Sequence, residues 1–146
     1  MDTKVETPVA TPNMELVNEV FAKIEEDLAH WDQGTWTTDA DKDGSICNTS
    51  FCFGGWALHL KERLRVTDGV HSSRYIYAVD ELGEQTAFSA EAAKLLGFNE
   101  ALAWNVFYNI NDDFQSYKAQ TLASIEKYGS YTEQQLEAWE NCEEVD

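Results

Sequence analysis

Apolar side chains recur every three or four residues from Val17 to Trp31, and no other feature restricts the fold as much. Val17, Val20, Phe21, Ile24, Leu28 and Trp31 form one stripe, opposite Glu15, Glu19, Glu25, Glu26 and Asp27. That period predicts an amphipathic helix that must bury one face, and Asn13, directly after Pro12, is its expected N-cap. The same period returns in shorter pieces. Phe53, Trp56, Ala57, Leu60 and Leu64 predict a second helix capped by Thr49 or Ser50. Gly54-Gly55 inside it costs about 1 kcal/mol per residue against alanine, which predicts a close-packed neighbour there. Ser89 is expected to cap a short helix ending at Leu96 before Gly97, and Asn99 one whose Leu102, Ala103, Val106, Phe107 and Ile110 share a face. A helix over 114–128 should turn Leu122 and Ile125 inward and stop at Gly129, and Thr132 with Gln135 has capping-box spacing for a last one.

Between these helical segments, Tyr75-Ile76-Tyr77-Ala78-Val79 has the β-branched and aromatic content of a strand. Asp80 to Gly83 can turn it toward a partner at Thr86-Ala87-Phe88. The expected fold is mainly α: a compact bundle or array of about five helices with a short β-hairpin near residues 74–88. Residues 1–12, with two prolines and three threonines, read as a flexible arm, residues 13–141 as a single helical domain and residues 142–146 as an acidic tail.

Charge narrows the partners. The chain carries 27 Asp and Glu against 10 Lys and Arg, a formal net charge of −17. Such a surface repels phosphate backbones and anionic membranes, which disfavours direct nucleic-acid or membrane binding and leaves basic proteins, cations or no partner at all, with solubility as the bland explanation of the charge. Apolar residues are nevertheless 43% of the chain, with five Trp, six Tyr and seven Phe, more than a disordered acidic chain carries. There is no leader-like apolar region after Met1 and no apolar run of spanning length, so a cytoplasmic, soluble chain is expected. Three cysteines, Cys47, Cys52 and Cys142, then read as reduced thiols.

Asp39-Ala40-Asp41-Lys42-Asp43-Gly44-Ser45-Ile46 follows the first half of an EF-hand loop, with Asp39, Asp41, Asp43 and Ser45 as candidate calcium ligands. Clustered carboxylates suit a hard cation, and the glycine permits the sharp turn that converges them. The second half departs from the pattern. Cys47 stands at position nine and Ser50 at position twelve, where a bidentate Glu is needed. Cys47 and Cys52 lack paired zinc-site spacing. On one helix Cys52 and His59 lie about 10 Å apart along the axis, too far for a nucleophile and its base. His30, beside Trp31, reads as a helix C-terminal residue favoured by the macrodipole. Phosphate loops, nucleophile elbows and helical zinc-protease motifs do not occur in the sequence, and no catalytic residue is assigned.

Trp31-Asp32-Gln33-Gly34-Thr35-Trp36, then Cys47-x-Thr49-x-x-Cys52-Phe53-x-Gly55-Trp56-Ala57, then Ala92 to Phe98 with Phe107 and Asn109 downstream, form a set of motifs. Together they resemble a family of small uncharacterised proteins encoded by actinobacteria and their phages, over roughly residues 14–126. The resemblance implies no activity, and it makes the Asp-rich loop an expansion between the Trp and Cys motifs. The bland reading of the motif is structural. Trp31, Trp36, Phe53 and Trp56 would anchor a loop on the core, Gly55 would allow close approach, and Cys47 and Cys52 would fill small buried spaces. The expected function is a non-enzymatic acidic interaction module, phage-encoded and directed at a basic host protein in the host cytoplasm, with DNA mimicry as a narrower version. The alternatives are a calcium-binding module on residues 39–50 and an enzyme using Cys52 or a carboxylate pair.

Overall fold

The computed structural model describes residues 7–33, 51–66 and 76–144. The chain is mainly helical, with a small three-stranded antiparallel sheet. α1 (Met14–Glu26) is followed by a 3-10 turn (Leu28–His30), α2 (Phe53–Leu60), β1 (Leu64–Val66), β2 (Ile76–Val79) and β3 (Gln85–Thr86). Four helices complete it: α3 (Phe88–Leu96), α4 (Glu100–Phe107), α5 (Phe114–Tyr128) and α6 (Glu133–Glu140).

The caps explain where most helices start. Asn13 accepts from the Leu16 amide, Asn99 from Leu102, Asp113 from Ser116 and Thr132 from Gln135, each satisfying an amide that the first turn leaves without a partner. Gln135 returns a bond to the Thr132 amide, completing the capping box the spacing predicts. Gly97 ends α3 at φ +69°, and a Cβ there would lie 2.0 Å from the Thr11 carbonyl oxygen, so both conformation and space demand glycine.

α1 buries Leu16, Val17, Val20, Phe21 and Ile24. Each buried side chain of this size stabilises by about 1.5–3 kcal/mol before chain entropy is counted. The stripe stops earlier than its period suggests: the helix ends at Glu26, and Leu28, in the 3-10 turn, is 51% exposed. α2 lies at the centre against α1, α3 and α4, and it is buried from Phe53 through Leu58, including Gly54 and Gly55. Its first amides are capped by Cys52, not by Thr49 or Ser50, and it ends at Leu60. Glu62 takes φ +58°, the Arg63 amide reaches back to the Leu58 carbonyl, and Leu64 enters a strand, not the end of a helix face.

That turn supplies the strand that sequence periodicity alone does not place. β1 pairs with β2 in register Leu64 to Ala78 and Val66 to Ile76, and β2 pairs with β3 through Ala78 to Thr86. The expected hairpin is therefore the outer half of a meander. Its turn is fixed by Asp80, whose Oδ1 accepts from the amides of Leu82 and Glu84, with Gly83 at φ +82°. The second partner strand stops at Thr86, because α3 begins at Phe88 with Ala87 in the cap position, two residues before the expected Ser89.

Of the stretch expected as a flexible arm over residues 1–12, residues 1–6 lie outside the described residues, and the chain is bonded to the body at Val9. The Val9 amide donates to the Tyr131 carbonyl and the Asn13 amide to the Leu96 carbonyl, one of the carbonyls that α3 leaves open at its end. On α5, Phe114, Tyr117 and Thr121 are buried, and Ile125 is partly so, whereas Leu122 is 39% exposed. Ile110 also departs from its predicted inward face: α4 ends at Phe107 and Ile110 is 79% exposed.

Candidate functional site

The Trp and Cys motifs meet at the base of α2. Two backbone hydrogen bonds join their flanks, Asp32 amide to Phe51 carbonyl at 2.9 Å and Phe51 amide to His30 carbonyl at 2.9 Å, in a parallel bridge between Trp31 and Phe51. Trp56 Nε1 donates to the His30 carbonyl at 3.2 Å. Phe51 packs edge-on to Trp56, with ring centroids 5.5 Å apart, and flat against His59 at 5.0 Å. Trp31 faces Phe114 and Tyr117, at 5.4 and 5.6 Å, and Phe21 joins Phe53 at 4.9 Å. An aromatic cluster thus ties the two motif segments to α1 and α5.

Gln33 is the residue of this motif that sequence reasoning passes over. It is 5% exposed, its Oε1 accepts from the Phe53 amide at 2.9 Å, and its Nε2 donates to the carbonyls of Phe107 at 3.3 Å and Val106 at 3.5 Å. One side-chain amide therefore serves the start of α2 and the end of α4 together. Tyr117 Oη adds a second donor to the Val106 carbonyl at 2.8 Å. Burial pushes the Tyr117 hydroxyl well above its ordinary pKa.

Cys52 caps α2 through sulfur, accepting from the Gly55 amide at 3.4 Å. Its thiol is buried and pushed up to about 12, by burial above all, against the lowering effect of the neighbouring backbone amides. At neutral pH the protonated thiol is therefore the favoured form. His59, at the other end of α2, is held below its ordinary pKa by burial between Phe51 and Trp56. His30 bonds to the Asp27 carboxylate at 2.8 Å, so a carboxylate side chain holds it as well as its place at a helix end. Cys142 is exposed beyond α6.

The structure thus brings together Trp31, Cys52, Phe53, Gly55 and Trp56. Trp36, Cys47 and the candidate calcium ligands Asp39, Asp41, Asp43 and Ser45 lie outside the described residues. Among the described residues no three His, Cys, Asp or Glu side chains converge as a metal site. Beside the motif an open cleft of about 410 Å³ has Leu28, Trp31 and Phe114 as apolar lining and Asp32, Asp112 and Asp113 as carboxylates. Its residue types suit a cationic or amphipathic group of a partner.

A second surface lies along α4. Glu100, Trp104 and Tyr108 follow one another at four-residue spacing, opposite buried Leu102 and Val106. Trp104 is 59% and Tyr108 52% exposed, and their rings touch at a centroid distance of 4.8 Å. The Glu100 carboxyl is held above its ordinary pKa, first by a hydrogen bond with the Glu140 side chain of α6.

Among the described residues no helix is long and apolar enough to cross a membrane. No family model, curated protein or solved structure matches this chain.

Proposed function

We propose that this chain is a non-enzymatic interaction module that binds a basic host protein, as a product of a phage or of an actinobacterial mobile element acting in the host cytoplasm. The observation that carries the reading is the charge: 27 acidic against 10 basic side chains on a chain with a substantial apolar core. Lys23, Arg63, Lys94 and Lys118 are each engaged with a glutamate, which leaves a large acidic surplus to attract a cationic surface. The kinship rests on the resemblance of the Trp31–Trp36 and Cys47–Ala57 motifs. The site chemistry supports a module without catalysis, since Gln33, Cys52 and Trp56 spend their polar atoms on backbone groups and the Cys52 thiol is buried and neutral. A narrower version has ordered carboxylates standing in for DNA phosphates on a host DNA-binding protein.

Affinity capture of the tagged chain from actinobacterial lysate, at low and high salt and with calcium or chelator, tests the reading. A basic protein retained at low salt and released at high salt supports it. Capture unchanged by salt, or no specific partner under any condition, refutes it. A calcium-dependent partner would instead favour the module built on residues 39–50.

A further inference from the structure

We infer that the outer face of α4, with Trp104 and Tyr108 at its centre and Ile110 beyond, docks a basic amphipathic segment of a partner protein. The inference rests on the interaction-module reading above and gives that module its surface. The segment's apolar side chains would lie on the two rings and Ile110, and its lysines or arginines against the carboxylates of α4 and α6.

Single exposed apolar residues are ordinary, but Trp104, Tyr108 and Ile110 fall within seven positions of the chain and are 59%, 52% and 79% exposed. Their combined exposed area is on the order of 300–400 Å², in the range of the largest apolar patch on a monomeric protein, which is often functional. Ile110 is held outward by its neighbours. Asn109 donates to Gln120 Oε1 at 2.7 Å and Asn111 to Ser116 Oγ at 2.9 Å, so the chain on both sides is tied to α5. Trp and Tyr are the side chains that most often anchor protein interfaces, and a Trp face attracts a lysine or arginine.

The occupant follows from charge. No Lys or Arg occurs from Leu95 to Tyr117 or from Tyr128 to Asp146, while these stretches hold Glu100, Asp112, Asp113, Glu133, Glu137 and Glu140. α4 and α6 pack together, and the Glu100 carboxyl is hydrogen-bonded to the Glu140 side chain, with no ion pair to either among the described residues. A cationic segment supplies the positive charge that this face lacks. A second copy of this chain would bring the same negative charge to the face, and an anionic membrane would be repelled by it.

Isothermal titration of the full chain with a helical leucine–lysine peptide tests the inference, with a leucine–glutamate peptide and polylysine as comparators. The expected result is binding of the leucine–lysine peptide in preference to both. The triple variant Trp104→Ser, Tyr108→Ser, Ile110→Ser should weaken it by about tenfold or more. Glu15→Gln with Glu19→Gln, on the solvent side of α1, should change it by less than about twofold. The pair Glu100→Gln and Glu140→Gln provides an independent variant and should also weaken binding and flatten its salt dependence. If the leucine–lysine peptide binds the wild type and neither variant set changes its affinity, this surface is wrong and the interaction-module reading stands. If neither the peptide nor polylysine binds the wild type, both fall. Equal binding of the leucine–glutamate peptide, or a wild-type dimer that the triple variant abolishes, would also overturn the inference, the second by making another copy the occupant.

Discussion

Replacing Gln33 by leucine should destabilise the fold by about 2–3 kcal/mol, although the substitution keeps most of the side-chain volume. The Phe53 amide, now bonded to Gln33 Oε1 at 2.9 Å, would lose its acceptor in a residue that is 0% exposed, so water cannot replace it. A buried donor left without a partner costs about 1–3 kcal/mol. The lost donations to the Phe107 and Val106 carbonyls, at 3.3 and 3.5 Å, are long and add about 0.5 kcal/mol, partly because Val106 keeps its bond from Tyr117. For a domain of this size the loss corresponds to a fall in Tm of roughly 6–12 °C. Urea unfolding followed by circular dichroism measures the change directly. Gln33→Glu keeps the acceptor for Phe53 but loses both donors and places a charge beside two carbonyls, so it should be no better than leucine. A loss below about 0.5 kcal/mol for Gln33→Leu would refute the idea that this amide joins α2 to α4, because the orphaned amide alone should exceed it.

Other outcomes follow from single contacts. The Cys52 thiol keeps its proton in the folded chain up to about 12, whereas in the unfolded chain it ionises near its ordinary value, so the folded state holds more protons above that value. Stability should therefore be full at neutral pH and fall as pH rises from about 9 to 12, by at most about 1.4 kcal/mol per pH unit. Cys52→Ser should flatten the fall between about pH 9 and 10, while Tyr117 preserves one above it, as denaturation series at stepped pH would show. Arg63 Nε lies 3.4 Å from the carboxylate of Glu91, which is 3% exposed; Arg63→Met should cost about 2–3 kcal/mol in urea unfolding, and adding Glu91→Gln should recover part of it. Gly97→Ala sets a Cβ against the Thr11 carbonyl in a left-handed conformation and should cost more than about 2 kcal/mol by the same assay. Glu62→Gly, at φ +58°, should instead raise stability by up to about 1 kcal/mol, read as an increase in Tm.

The sequence by itself determined the helices and those ends that a local cap or glycine marks. A cap joins groups three residues apart, so Asn13, Asn99 and the Thr132–Gln135 box carry their partners in the same short stretch of chain, and Gly97 marks a backbone conformation that few other residues adopt. The inward stripe of α1 is equally local, since period alone sets which side chains share a face. Tertiary structure decided what depends on distant groups. Leu64 becomes a strand residue because Glu62 turns the chain and Ala78 offers a pairing partner. Ile110 and Leu122, apolar and in phase, stay exposed because no element covers them among the described residues. Val9 and Asn13 are fixed by carbonyls of Tyr131 and Leu96, more than eighty positions away. The candidate site divides in the same way. Trp31, Cys52 and Trp56 were visible as a motif, but a glutamine is ordinarily a surface residue, and only the fold places Gln33 between an amide of α2 and the carbonyls of α4. The acidic balance was legible at once, whereas the face of α4 that carries it with two exposed rings exists only because Leu102 and Val106 are drawn into the core on the other side.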